Sequence, residues 1–147
     1  MAASAGASGS AIGDGSLEPI LPDLDIWVRA LSRQVPDPLV VHAFARRVEQ
    51  RQVFMIGWIR QGLLARVRDE RQFARLSWVL SAYPDLRVLP ADHLRAAMIA
   101  RILRRKDVPI APWPALLWAV AERLGGRIWS QGRQWRTWVG DGCPLRT

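Results

Sequence analysis

From Leu17 onward, short apolar runs alternate with longer stretches whose apolar residues recur at helical spacing. The run "EPILPDLDIWVRAL", with Trp27 and Val28, predicts a first strand ending around Asp23 to Asp25, then a turn into Arg29 and Leu31. Pro22 sits poorly inside a central strand because it removes a ladder donor. "DPLVVHAFARRVEQ" spaces Leu39, Val40, Ala43, Phe44 and Val48 as a helix, with Asp37 as its cap and Pro38 at the first helical position. "QVFMIG" then predicts a brief buried strand closed by Gly57.

From Trp58 the pattern is helical again, with Ile59, Leu63, Leu64 and Val67 on one face and Arg60, Arg66 and Arg68 largely off it. "DERQFARLSWVLSAY" predicts a further helix, turning Phe73, Leu76, Val79 and Leu80 inward and stopped by Pro84. "LRVLP" is expected as a strand of about four or five residues. The next helix, "ADHLRAAMIARILRRKD", repeats Leu94, Ala97, Met98, Ile102 and Leu103, with Asp92 at its start. Its end gathers Arg101, Arg104, Arg105 and Lys106, where the helix dipole favours positive charge. "WPALLWAVAERLG" is a helix with Pro114 near its first turn and Gly125 past its end. "GRIWS" is a fourth strand and "RQWRTWVG" a last helical turn.

Strands alternating with helices predict an α/β fold: a three-layer sandwich with a short, mainly parallel sheet of four to five strands flanked by helices. Ligands of such sheets lie at the carboxyl ends of the strands. Chemistry is therefore sought at Asp23, from Gly57 onward, and in the loop 130–134.

Composition sharpens this picture. The Ala/Gly/Ser-rich stretch 1–16 is expected as a disordered tail, 17–139 as one domain and 140–147 as a C-terminal tail. A net charge of +8 points to an anionic partner, and Lys106 is the lone lysine among 21 Lys and Arg residues. That skew fits codon composition as well as selection. Guanidinium also suits phosphate and carboxylate, so nucleic acid and an acidic protein both stay open. A single cysteine, Cys143, excludes an internal disulfide and a Cys-based zinc site. The longest uncharged apolar stretch, Val108 to Ala121, is broken by prolines and shorter than the ~20 residues of a membrane helix. With no signal-peptide pattern, a cytoplasmic protein without membrane contact is expected.

His42 and His93 are far apart and expected as exposed or capping residues. No GxSxG and no glycine-rich phosphate loop occurs. Trp27, Trp58, Trp78 and Trp118 lie in apolar patterns and are expected in the core. Trp113, Trp129, Trp135 and Trp138 gather near the prospective site edge, among Arg127, Arg133 and Arg136. Such rings can stack nucleobases or fill space left by lost polar side chains, and filling is weighed first.

The order of these motifs resembles a PIN domain, and within that group the VapC-type toxins of bacterial toxin–antitoxin pairs. "ILPDLDIWVRAL" is similar to the opening strand, "MIGWIRQGLLARVRDERQFARL" to the second motif, and "APWPALLWAVAERLGGRIWSQGRQW" to the third and fourth. The resemblance spans Pro19 to Val139 and rests on order and spacing more than on identity. It implies a cluster of carboxylates holding Mg²⁺ or Mn²⁺ to activate water for RNA cleavage.

Carried over by position, the first acid is Asp23, while the remaining acids fall on Gly62, Pro114, Gly132 and Gln134. Asp25 stands where the family has a small hydroxyl residue. Two carboxylates can hold a hydrated ion weakly, and they can equally form the turn and cap a helix. Glu70, Asp92 and Glu122 are better explained as helix-face or capping residues than as replacement ligands.

The expected function is that of a degenerate VapC-like protein that has lost metal-dependent cleavage, needs no cofactor, and binds RNA or an antitoxin-like small protein. Arg60, Arg127, Arg133, Arg136, Trp113 and Trp135 are the prospective contacts, and the resemblance implies a homodimer. Two alternatives stand beside it: an active Mg²⁺- or Mn²⁺-dependent endoribonuclease toxin, with Asp23 and Asp25 in the site, and a structural subunit of a larger complex.

Overall fold

The computed structural model describes residues 17–34 and 36–146. The stretch 1–16, expected as a tail, lies outside the described residues.

Strand β1 (Ile20–Pro22) pairs in parallel with β4 (Arg127–Trp129), placing Leu21 opposite Ile128. On its other flank Ile20 bridges Val53, receiving from Phe54 N–H at 3.0 Å and donating to Gln52 O at 2.8 Å. That bridge leads into β2 (Met55–Ile56), which pairs in parallel with β3 (Asp85–Leu86). A further parallel bridge joins Leu145 to Ile128. Two two-stranded parallel sheets, β1 with β4 and β2 with β3, are thus linked by the Ile20–Val53 bridge, and β1 and β2 are fully buried, as expected of parallel strands covered on both faces. Pro22 is tolerated as the last residue of β1. The ladder resumes one residue later, where Asp23 N–H donates to Trp129 O at 2.8 Å.

Helix α1 (Leu24–Leu31) takes the place of the turn expected after the first strand, which itself ends at Pro22, just short of Asp23. Asp23 caps it, accepting from Leu24 N–H at 2.7 Å. The spacing Leu24, Trp27, Val28, Leu31 is itself helical, and a turn one residue after Pro22 brings Trp27 Nε1 to Pro22 O at 3.1 Å.

Helix α2 (Pro38–Glu49) starts as expected on Asp37, which accepts from Leu39 N–H and Val40 N–H. Next come α3 (Gly57–Leu64), α4 (Glu70–Leu80), α5 (Pro90–Arg105), α6 (Pro112–Leu124) and the short α7 (Arg133–Arg136).

Two helices present other faces than predicted. On α4 only Leu80 is buried; Phe73 is exposed and Trp78 is 77% exposed. The helix packs chiefly on α3, so a single edge is covered. On α5 the inward stripe is Asp92, Ala96, Ile99 and Leu103, while Leu94, Met98 and Ile102 face outward. The stripe containing Asp92 and small Ala96 packs on α6, and it gives Asp92 access to Arg123.

Strand β3 is shorter than expected and begins one residue earlier. Pro90 opens α5, so the chain beyond Leu86 is already turning into the helix. Gly125 ends α6 at φ 63°, a left-handed turn that favours glycine. The segment set apart at 140 packs back on the core through buried Cys143 and the Leu145 bridge. Among the described residues no helix is long and apolar enough to cross a membrane.

Candidate functional site

The carboxyl ends of β1 and β4 lie side by side, and this places Asp23 and Asp25 against the loop that follows Trp129. Asp23 is buried, its Oδ2 accepting from Trp135 Nε1–H at 2.7 Å and from Ser130 Oγ–H at 3.3 Å. Its Oδ1 takes the Leu24 N–H of the helix cap. Asp25 accepts from Ile26 N–H at 2.9 Å, Ser130 Oγ at 3.2 Å and Gln131 N–H at 2.8 Å. Ser130 Oγ therefore lies between the two acids, with one proton to share between them, and also receives Gly132 N–H at 3.0 Å. Burial pushes the Asp23 carboxyl above its ordinary 3.8, and the charge of Asp25 adds to this. The hydrogen bonds from Trp135, Leu24 and Ser130 act the other way.

The other motif positions offer no carboxylate to this pair. Gly62 faces α1, where an added Cβ would stand 3.3 Å from Leu24 Cδ1. With Leu24, Trp58, Ile59 and Trp113 it lines an apolar cleft of about 160 Å³. Trp58 and Trp113 meet edge to face there, with ring centroids 4.2 Å apart. Pro114 is buried in the first turn of α6, Gly132 precedes α7, and Gln134 is exposed on α7.

A hard divalent cation needs several oxygen ligands with lone pairs to spare. Here both carboxylates are engaged by donors of the chain itself. Among the described residues no group of three or more His, Cys, Asp or Glu is placed to share an ion. Asp23 and Asp25 are thus two carboxylates without a third acid beside them among the described residues, fewer oxygen ligands than the resemblance implies for Mg²⁺ or Mn²⁺. The remaining acids keep structural partners: Asp92 pairs with Arg123 and Glu122 with Arg95, while Glu70 is exposed in the first turn of α4.

The basic and aromatic candidates separate into two groups. Arg60 is committed to Asp85 and to the carbonyls of Leu80 and Tyr83, tying α3 to the end of α4. Trp135 is fully buried and packs edge to face on Trp138 at 5.3 Å, so its ring faces the core. Arg127 reaches Glu18 at 3.4 Å but is exposed, as are Arg133 and Arg136. Trp113 is partly buried beside the apolar cleft.

Trp27 and Trp118 are core residues as expected, whereas Trp58 and Trp78 are exposed because α3 and α4 present those positions outward. His42 and His93 are exposed. Sequence reasoning missed Ser130 as the bridge between the acids. Its one signal was its place immediately after an apolar run at a strand's carboxyl end.

No family model matches the chain, and no curated protein matches it significantly. Among solved structures it is similar to FitAcB from Neisseria gonorrhoeae, at 16% identity and a TM-score of 0.67 over 77% of this chain and 87% of that one. It is also similar to VapBC2 from Rickettsia felis, bound to a DNA fragment from their promoter, at 12% identity and a TM-score of 0.67 over 80% of this chain and 91% of that one. At such identities the likeness shows the fold alone, and the chain has the PIN-like α/β architecture that these two structures share.

Proposed function

We propose that this VapC-like protein acts by binding and does not cleave RNA through a metal, and that its cleft beside Asp23 receives a segment of an antitoxin-like protein. The observation that carries this is the pairing of an occupied carboxylate with an apolar cleft. Asp23 is taken up by Trp135 and Ser130, and the neighbouring surface is formed by Leu24, Trp58, Ile59, Gly62 and Trp113. Such a surface favours an apolar side chain, worth about 1.5–3 kcal/mol when fully buried, over a hydrated cation or a phosphate. Both structural neighbours support a toxin–antitoxin setting for a partner of this kind.

The test is incubation of labelled total RNA with the purified protein and Mg²⁺ or Mn²⁺, beside Asp23→Ala and a chelator control. No metal-dependent cutting is expected. Cutting abolished by both the mutation and the chelator overturns the proposal. In a screen of small proteins encoded in adjacent reading frames, the wild-type chain should co-purify with one, and Gly62→Phe, which fills the cleft, should release it.

A second reading, RNA binding, is favoured by exposed Arg133 and Arg136 on α7, which also carries Trp135 to Asp23. Its mark is affinity that falls steeply with salt through counterion release. Capture at the apolar cleft changes little with salt.

A further inference from the structure

Away from the Asp23 site, a polar cavity of about 380 Å³ is lined by His42, Arg46, Arg47, Gln50, Gln52 and Arg146. It shares no residue with the acid pair or the apolar cleft. Three arginines line it, close enough for the charges of Arg46 and Arg146 to act on Arg47, and no carboxylate lines it. Among the described residues none of the three forms an ion pair.

Arg47 is the most telling of the three. Its Nε is buried with no hydrogen-bond partner among the described residues, and its guanidinium lies 5.2 Å from the centroid of the Trp129 ring. Burial, then the charges of Arg146 and Arg46, pull Arg47 below the ordinary arginine value. A helix C-terminus favours cations, which accounts for Arg46 and Arg47 in the last turn of α2. It does not account for Arg146, which the far end of the chain delivers to the same cavity through its N–H to Ile128 O at 2.7 Å.

Like charges gathered without a counter-charge stabilise nothing by themselves, so this arrangement suits an anion supplied from outside. Guanidinium forks match phosphate oxygens two at a time. A phosphate monoester brings a charge of about −1.5 to −2 and three strong acceptors. A carboxylate brings a single charge and two oxygens, which suits one arginine better than three. The cavity lies within the range of about 300–1,000 Å³ typical of ligand sites.

We propose that the Arg46, Arg47 and Arg146 cavity binds a terminal phosphate monoester, carried either by a free nucleotide or by the 5′ end of an RNA strand. The proposal is independent of the antitoxin reading, because it uses a different part of the molecule.

Binding to the full chain is measured calorimetrically at low salt with four probes: uridine 5′-monophosphate, uridine, and one oligoribonucleotide with a 5′-phosphate or a 5′-hydroxyl. Each phosphorylated probe should bind at least about tenfold more tightly than its counterpart, as charge-assisted bonds require. Arg46→Gln with Arg146→Gln, both at exposed positions, should abolish that difference. Arg104→Gln with Arg105→Gln, removing equal charge from the end of α5, should preserve it. Equal affinity for both phosphorylated probes assigns the site to a free nucleotide; a tighter oligonucleotide assigns it to an RNA end. No discrimination between phosphate and hydroxyl, or equal losses in the two double variants, overturns the proposal.

Discussion

The indole N–H of Trp135 donates to Oδ2 of Asp23 at 2.7 Å, joining residues 112 apart in sequence inside the core. This bond makes Asp23 part of the packing between β1 and α7 as well as the cap of α1. Trp135→Phe keeps an aromatic ring in place but leaves the buried carboxylate short of a donor. The expected loss is about 1–3 kcal/mol in urea unfolding. A variant as stable as the parent would show that the bond contributes nothing.

The raised pKa of Asp23 has a definite sign in stability. In the unfolded chain the group titrates near 3.8, and folding moves it higher. Its contribution is therefore full below 3.8 and fades as pH rises through the folded value. Asp92 and Glu122 run the other way, because their folded values are lowered from 3.8 and 4.5. Their contributions are present above those values and are lost as pH falls through the folded ones. Comparison with Asp23→Asn isolates the first effect: between neutral pH and 3.8, the parent should gain on the variant as acid is added. Parallel stability curves would remove burial as the cause.

Arg123 pairs with Asp92 at 2.7 Å, and the Asp92 side chain is only 2% exposed. Asp92 also accepts from Leu89 N–H at the start of α5. Arg123→Ala leaves this carboxylate buried with one donor fewer. The expected loss is about 3 kcal/mol, the lower end for a broken buried pair because Arg123 itself is partly solvated. Arg95→Ala breaks the more exposed pair with Glu122, and a loss under about 1 kcal/mol is expected. Denaturant midpoints of the two variants, taken together, check the order.

Gly125 and Gly126 are adjacent yet constrained by different physics. Gly125 has φ +63° with nothing near its absent Cβ, so Gly125→Ala carries only backbone strain, about 1 kcal/mol. At Gly126 a Cβ would lie 2.7 Å from Pro19 O, the carbonyl that accepts Arg127 N–H where β4 begins beside β1. Gly126→Ala should therefore be the more damaging, by about 1–3 kcal/mol for a forced shift in packed structure. Thermal unfolding of the two single variants distinguishes them, and equal losses would refute the steric account.

Local grammar carried much of the fold into the sequence. Asp37 followed by Pro38 announced α2, Gly125 announced the end of α6, and the apolar runs at 53–56 and 127–129 announced strands, because caps, φ preferences and buried runs depend on neighbours along the chain. The order of these elements was enough to point to a parallel α/β plan and to the strand ends near Asp23 and Ser130. Tertiary structure decided the rest. Trp58 and Trp78 stand in apolar patterns yet face outward, and α5 buries Ala96 and Ile99 in place of Leu94 and Met98. Each helix carried more than one apolar stripe, and only the partner it packs on selects among them. The joining of Asp23 to Trp135, and the placing of Arg146 beside Arg47, likewise have no local signal. Such pairs are created when distant segments are brought to one sheet, and desolvation then fixes which charges are matched and which are left open to a ligand.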